Sequence, residues 1–168
     1  MRVWGILFTI TNKHSIIALD LGTTCGWAIK HNNRTYSGVF KLAPSRFDSY
    51  DQRFITFRKS LQELIAKRFN NADLSTVQVF YEEVRQSQAP DAAHMYGGYK
   101  TVLTCFCLDH GISYKGVGVK TIKKFITDTG SAGKEKVMDS VRKLGHYPED
   151  DNEADAIAIL YYGIDYLA

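Results

Sequence analysis

Acidic residues occupy positions in this sequence where buried apolar residues would be expected. Asp20 ends one apolar run, Glu82 and Glu83 end another, and Asp155 lies in a stretch of small and apolar residues. A carboxylate among apolar neighbours is costly to bury unless a cation neutralises its charge. Taken singly, each acid could instead cap a turn, end an exposed strand or pair with a lysine. Taken together, they point to a site for a divalent metal ion.

The ligands that these positions offer are oxygen atoms only. Two cysteines, Cys105 and Cys107, lie within an apolar helical stretch, and the five histidines are scattered without the spacing of metal ligands. Oxygen ligands without His or Cys pairs suit Mg²⁺ or Mn²⁺ and not Zn²⁺. Two such ions about 4 Å apart can activate a water molecule and stabilise the leaving oxygen in phosphodiester hydrolysis.

The apolar spacing predicts the elements that must position these acids. A buried strand over 15–21 and a tight turn over 22–26 are followed by two strand-like runs joined by a short connection at 31–33. Ser131 is predicted to be the N-cap of a helix that begins at Ala132. The remaining predictions are strands over 27–30, 34–42, 76–83 and 112–118, and helices over 48–69, 90–110, 120–127, 132–144 and 152–167.

This order of elements predicts an α/β fold with one five-stranded mixed sheet flanked by helices. Connection rules make the first three strands antiparallel and the last two parallel to the first. If the first and fourth strands are neighbours, their acidic ends lie side by side, and the last helix can bring Asp155 within reach. We expect a single domain over 1–168, in which residues 1–14 are an N-terminal extension of unknown role.

Composition limits the class of protein further. The chain has 168 residues, of which 45% are hydrophobic and 23% charged, so it can bury a full core without disulfide or metal staples. Its three cysteines cannot all pair, which favours a cytoplasmic location. No stretch is long enough for a membrane span, and the apolar N-terminal residues lack the features of a signal peptide.

Basic residues concentrate in one segment, although the net charge of the chain is only +3. A row of amines close to two predicted helix N-termini suits phosphate binding, and a solvated lysine face is the alternative interpretation. Only Asp128 and Glu135 oppose them. The lysines are Lys115, Lys120, Lys123, Lys124, Lys134 and Lys136.

Four segments resemble the RuvC-type Holliday-junction resolvases. The residues IIALDLGTTCGWAI at 16–29 resemble the first strand and turn of that family, and a similar signature opens the nuclease domain of CRISPR effectors. The other segments are VFYEEV at 79–84, the stretch 123–137 with its GSAGK core, and NEADAIAI at 152–159. All four occur in the order and spacing of the family, so the resemblance extends over nearly the whole chain from Ser15.

The resemblance implies an RNase H-like fold and an activity. Its members are crossover junction endodeoxyribonucleases, hydrolases that act in DNA recombination and repair. The family therefore implies a metal-dependent enzyme with two Mg²⁺ or Mn²⁺ ions per site, which resolves four-way DNA junctions by paired symmetric nicks. It also implies a homodimer, and the divergence from bacterial members hints at a phage or mobile element.

The resemblance also assigns residues to the metal site. Asp20, Glu82 and Asp155 match the catalytic acids, and strand alternation alone does not separate Glu82 from its neighbour. Asn152 stands where bacterial resolvases usually have an acid, so one negative charge is missing. Asp151 lies on the same helix face and is the alternative fourth ligand.

Further residues are assigned to DNA and to the dimer. Lys123 and Lys134 match family lysines that approach the scissile phosphate, and Arg85 and Gln86 follow the catalytic strand on a loop expected to face DNA. The family dimerises through the helix after the fourth strand, and Gly97-Gly98 in that helix suggests close approach of another backbone. Ordinary core packing is the alternative for its aromatic stripe. The stripe predicted at the interface is Tyr96, Tyr99, Leu103 and Phe106.

Other functions fit parts of the sequence. The residues DLGTT at 20–24 also match the phosphate-binding signature of the actin, sugar-kinase and heat-shock ATPases, but those proteins need two such domains to enclose ATP. Asn152 leaves open a junction-binding or branched-DNA-binding protein with a degraded metal site. A flap or branch nuclease of the same fold is a third alternative, and cleavage assays on branched DNA separate these candidates.

Overall fold

A mixed five-stranded sheet lies at the centre of the molecule, in the strand order β3-β2-β1-β4-β5. The computed structural model describes residues 14–70, 72–84 and 89–168. β1 is antiparallel to β2 and parallel to β4, and β5 is parallel to β4, as the sequence predicts. The strands are β1 Ser15–Asp20, β2 Thr24–His31, β3 Arg34–Lys41, β4 Val77–Glu83 and β5 Ser113–Gly118.

In the part of the chain that the structure describes, five α-helices cover the two faces of this sheet. α1 and α2 lie on one face and α3, α4 and α5 on the other. Among the described residues, no helix combines the length and the apolar character that a membrane span needs. The helices are α1 Gln52–Phe69, α2 Pro90–Asp109, α3 Val119–Thr127, α4 Lys134–Lys143 and α5 Asp151–Tyr166, and a short 3-10 turn spans Leu74–Thr76.

Strand alternation divides the core into two clusters. In β1, Ile17 and Leu19 are buried against α1 and α2, whereas Ile16 and Ala18 are buried under α5. Successive side chains of a strand point to opposite faces, so this division fixes the direction of every side chain near the strand ends.

Three predicted starts of helices or strands are wrong by two residues or more. α1 begins at Gln52 and not at residue 48. β2 already begins at Thr24, so the turn after β1 is shorter than predicted. α4 begins at Lys134 with Gly133 as its N-cap, not with Ser131. The hydroxyl of Ser131 is instead hydrogen-bonded to that of Thr129, 3.2 Å away, in the turn between α3 and α4, so it is not available to cap a helix.

The predicted interface stripe of α2 is also wrong for three of its four residues. Tyr99, Leu103 and Phe106 are buried in the core between α2, α1 and the sheet. The Tyr99 ring, for example, packs edge-on against Phe54 with 5.2 Å between ring centroids. Side chains that the chain itself already buries cannot contact a second copy.

Of the two glycines in α2, Gly98 has a different explanation from the predicted backbone approach. A Cβ atom on Gly98 would lie 2.4 Å from the ring of Phe54, so this glycine makes room for the packing of α1. A Cβ atom on Gly97 would meet nothing within 4 Å. Gly97 therefore lies on the open side of α2.

Candidate active site

Two acids lie side by side at the carboxyl edge of the sheet. The parallel pairing of β1 with β4 aligns Leu19 with Tyr81, which brings the next residues, Asp20 and Glu82, to adjacent positions. Asp20 points to the same face as Ala18, and Glu82 to the same face as Phe80, and both of those residues belong to the core under α5. The two carboxylates therefore face α5.

Glu83 lies on the opposite face of β4. Its Oε1 accepts a hydrogen bond from Nζ of Lys100 on α2, with a distance of 2.5 Å. This ion pair belongs to the side of the sheet that α1 and α2 cover. The structure therefore brings Glu82 to Asp20 and keeps Glu83 away from it.

The first two turns of α5 supply the remaining residues of the site. Asp155 is half-buried, and its charge adds to that of Glu82 in raising the pKa of Asp20. Asn152 is also half-buried, and its Nδ2 donates a hydrogen bond to Oδ2 of Asp150 at 3.3 Å. Asp150 is the N-cap of α5, because its side chain accepts from the Glu153 backbone N–H. The cap thus restrains the amide of Asn152.

Asp20, Glu82 and Asp155 form an acid group, whose negative charges repel one another where little water reaches them. Burial, followed by the charges of Glu82 and Asp155, raises the pKa of Asp20 to about 8. Burial and the charge of Asp155 raise the pKa of Glu82 to about 7, and burial also raises the pKa of Asp155. Part of this group holds protons at neutral pH, and a cation among the carboxylates would relieve the repulsion.

The donor atoms of this group fit a hard divalent cation. Carboxylate and amide oxygens are the ligands that Mg²⁺ and Mn²⁺ prefer. Within 14–70, 72–84 and 89–168, no three His, Cys, Asp or Glu side chains lie close enough together to hold a metal ion by themselves. The chemistry of the donor set fits the ion, and the remaining ligands would come from water or substrate.

Two lysines border the acids. Lys134, the first residue of α4, forms an ion pair with Asp151, the first residue of α5. This hydrogen-bonded pair raises the pKa of Lys134 and lowers the pKa of Asp151. The positive charge of Lys123 on α3 partly offsets the rise in the pKa of Glu82 and Asp155 that burial causes. Asp151 is therefore held by a lysine beside the acid group.

The other predicted DNA contacts lie on β5, α3 and α4 or outside the described residues, and Lys115 lies toward the opposite end of α5 from the acids. Lys115 on β5 is half-buried, with its Nζ 4.8 Å from the centroid of the Tyr166 ring. Lys120, Lys124 and Lys136 are exposed on α3 and α4. The predicted contacts Arg85 and Gln86 lie outside the described residues.

Comparison with known proteins assigns the family. No family model matches the chain. The crossover junction endodeoxyribonuclease RuvC of Lawsonia intracellularis is 30% identical over 161 residues, an alignment that covers 89% of this chain and 90% of the relative. The chain belongs to the RuvC family. The resemblance of its four motifs to RuvC-type resolvases is thereby confirmed.

Solved structures confirm the RuvC fold. The Thermus thermophilus RuvC structure matches with a TM-score of 0.69 and 20% identity, and covers 92% of this chain and 98% of its own. T. thermophilus RuvC in complex with a Holliday junction substrate matches with a TM-score of 0.71, 19% identity and the same coverage. The predicted RNase H-like sheet is confirmed by these matches.

Two residues beside the acids were missed as functional candidates in the sequence. Gly26 lies opposite Asp20 in the β1–β2 ladder, and the backbone of α5 rests directly on it. Glu153, the residue after Asn152, is buried and accepts hydrogen bonds from Ser37 on β3 and from the Glu149 backbone N–H. The glycine was part of the recognised motif, but nothing in the sequence reveals that Glu153 bonds to β3.

Proposed function

We propose that this RuvC-family chain is a metal-dependent endonuclease that resolves four-way DNA junctions by paired symmetric nicks. The observation that carries the proposal is the meeting of Asp20, Glu82 and Asp155 at one edge of the sheet. Beside burial, the charges of Glu82 and Asp155 raise the pKa of Asp20, and the charge of Asp155 raises the pKa of Glu82. The relative from L. intracellularis, which is named for crossover-junction cleavage, supports the substrate.

The three carboxylates and the Asn152 amide oxygen would hold two Mg²⁺ or Mn²⁺ ions. When bound, such ions lower the pKa of a coordinated water molecule and offset negative charge on the leaving oxygen. The chain's own part is to present Asp20 and Glu82 from rigid neighbouring strands, and Asp155 from a helix packed on them. Positions fixed in this way need no reorganisation during the reaction.

The lysines at the site would act on the phosphate. Lys134 is paired with Asp151, and its side chain is 77% exposed, so it can turn toward a DNA strand that enters the site. Lys123 already lies near Glu82 and Asp155. An amine beside the scissile phosphate stabilises charge that grows in the transition state. The exposed lysines of α3 and α4 would bind the phosphates of the junction arms.

A homodimer belongs to the same proposal, because two symmetric nicks need two sites related by a two-fold axis. We propose that the dimer forms through the open face of α2, because most of the predicted stripe is buried in the core. Gly97 permits close approach on this face, and Leu108 is 69% exposed. The face consists of Ala93, Gly97, Thr101, Cys105 and Leu108.

A cytoplasmic location is also part of the proposed function.

A substrate panel tests the proposed function. Labelled four-way, Y-shaped and linear duplex DNA are incubated with the protein in Mg²⁺ or Mn²⁺, with Asp20→Asn as the inactive control. We expect paired nicks in the four-way junction, no cleavage of the linear duplex, and junction binding without cleavage by Asp20→Asn. Preferred cleavage of the Y-shaped DNA would identify a branch nuclease.

The same panel tests a second candidate, a junction-binding protein without nuclease activity. The neutral Asn152 at a position where the family usually has an acid favours this candidate. Tight junction binding with no cleavage in either metal would identify it. Cleavage that Asp20→Asn retains would instead remove Asp20 from the site.

A further inference from the structure

A buried acid outside the acid group holds the beginning of α5. Glu153 is 7% exposed, and both of its carboxylate oxygens are engaged within the chain. Oε1 accepts a hydrogen bond from the hydroxyl of Ser37 at 2.6 Å, and Oε2 accepts one from the backbone N–H of Glu149 at 2.8 Å. A carboxylate with both oxygens satisfied in this way serves the fold of the helix start and is not a metal ligand.

The partner of this acid stands on the sheet. Ser37 is in β3 and lies opposite Ala28 of β2, whose side chain is in the core under α5. Side chains paired across neighbouring strands point to the same face, so the Ser37 hydroxyl faces the helix. The bond to Glu153 therefore ties the first turn of α5 to the outermost strand of the sheet.

A second contact holds the residue just before Glu153. Gly26 pairs with Asp20 across the β1–β2 ladder, and a Cβ atom on it would lie 1.9 Å from the backbone oxygen of Asn152. The absence of a side chain at Gly26 lets the helix backbone rest on β2 beside Asp20. The helix start thus touches the sheet at two points, one on β2 and one on β3.

We propose that Glu153 and Ser37 are positioning residues that hold the first turn of α5 in the register that presents Asn152 and Asp155 to Asp20. The inference rests on the proposed metal-dependent activity. The first turn of a helix lacks the intrahelical partners of its N–H groups and frays unless other groups hold it. A rotation of this turn would carry Asn152 away from the acid group, because each residue advances the helix by about 100°.

The test measures metal binding and cleavage in the full chain. Glu153→Met keeps the length of the side chain but removes both carboxylate acceptors, and Ser37→Ala removes only the bond to β3. Mn²⁺ affinity is measured by electron paramagnetic resonance, and the Mn²⁺ concentration for half-maximal junction cleavage by a titration. We expect both quantities to weaken by about tenfold or more, while metal-free junction binding stays unchanged.

Matched variants separate positioning from mere stability. Ser37→Thr retains the hydroxyl and should restore the wild-type Mn²⁺ requirement. Ile112→Val removes a methylene from the core on the opposite face of the sheet, so it should lower the melting temperature and leave the Mn²⁺ requirement unchanged. The double variant Ser37→Ala/Glu153→Met should be no worse than Glu153→Met, because the bond between the two residues is already lost in the single variant.

The outcomes distinguish this inference from the proposed function. Wild-type Mn²⁺ affinity and cleavage in folded Glu153→Met and Ser37→Ala would overturn the positioning role and leave the nuclease intact. Wild-type protein that binds Mn²⁺ but cuts no branched DNA would overturn the function, and the Mn²⁺ affinities of the variants would still decide the positioning role. Wild-type protein that neither binds Mn²⁺ nor cuts DNA would overturn both.

Discussion

Glu82 and Glu83 are neighbours in sequence with opposite surroundings. Glu82 faces the acid group under α5, whereas Glu83 pairs with Lys100 under α2. We expect Glu82→Gln to abolish junction cleavage, and Glu83→Gln to leave the cleavage rate nearly unchanged while costing at most about 1 kcal/mol of stability. Single-turnover cleavage and thermal denaturation measure the two effects. An essential Glu83 with a dispensable Glu82 would show that Glu83, and not Glu82, faces Asp20.

Asp20 makes the metal-free protein less stable as the pH rises. Its folded pKa of about 8 lies above the unfolded value of 3.8, so the folded state keeps a proton that the unfolded state releases between these pH values. Stability is therefore lost as the pH rises from about 4 through 8. Asp20→Asn should stabilise the chelator-treated protein by about 1 to 2 kcal/mol at pH 8, and by less at pH 5.

Thermal denaturation in chelator at both pH values checks this stabilisation. The variant should be inactive at either pH, so that activity and stability change in opposite directions. Equal melting temperatures of wild type and Asp20→Asn at pH 8 would mean that the Asp20 carboxyl does not destabilise the folded protein at that pH.

Asn152 and Asp151 determine how much negative charge the metals meet. Asn152→Asp adds a carboxylate and should lower the Mn²⁺ concentration for half-maximal cleavage, whereas Asn152→Ala should raise it. Asp151→Asn should have a smaller effect, because Asp151 is engaged by Lys134. Metal titrations of cleavage measure all three variants. A large effect of Asp151→Asn with none of Asn152→Ala would make Asp151 the fourth ligand.

At the scale of elements, the packing of α5 on β2 depends on one missing side chain. A Cβ atom on Gly26 would lie 1.9 Å from the Asn152 oxygen, so Gly26→Ala forces the helix start away from the sheet by more than 1 Å. A shift of about 1 Å in a reacting group can cost about 100-fold in rate, and we expect a loss of this size in cleavage. Circular dichroism verifies that the variant is folded.

Gly133→Ala is the matched control for this variant. A Cβ atom there meets nothing within 4 Å, and its φ of −75° suits any residue. The control should cleave at the wild-type rate although it adjoins Lys134. Full activity of Gly26→Ala would contradict the close approach of helix and strand.

The elements were more predictable than their contacts. The sheet order and the meeting of Asp20, Glu82 and Asp155 at one edge follow from apolar periodicity and connection rules, with the family motifs marking the acids. The choice between Glu82 and Glu83 does not follow from periodicity or connection rules, because it depends on which face of β4 meets α5. Likewise, α2 has apolar residues three and four positions apart on more than one side, so its sequence does not reveal that Tyr99 faces the core.

At the scale of the whole molecule, junction resolution needs two copies that act together. Thr101→Glu places a charge in the middle of the open face of α2, and should convert a dimer to a monomer in sedimentation at micromolar concentration. The monomer should nick one strand without the paired second nick, because each subunit supplies one site.

Ala66→Glu on the exposed side of α1 is the control and should remain dimeric. A wild-type protein that sediments as a monomer while making paired nicks would contradict the dimer. Thr101→Glu that sediments as a dimer would contradict the surface assigned to it.

The acid group draws on the first strand and the last helix of the described chain, with β4 between them. Local pairs such as the β2–β3 hairpin close early in folding, whereas contacts between distant parts of a chain form late because their loop-closure entropy must be overcome first. Metal binding and cleavage should therefore emerge at the end of refolding, together with the docking of α5. A partly folded chain would lack the assembled acids and, with them, the proposed nuclease activity.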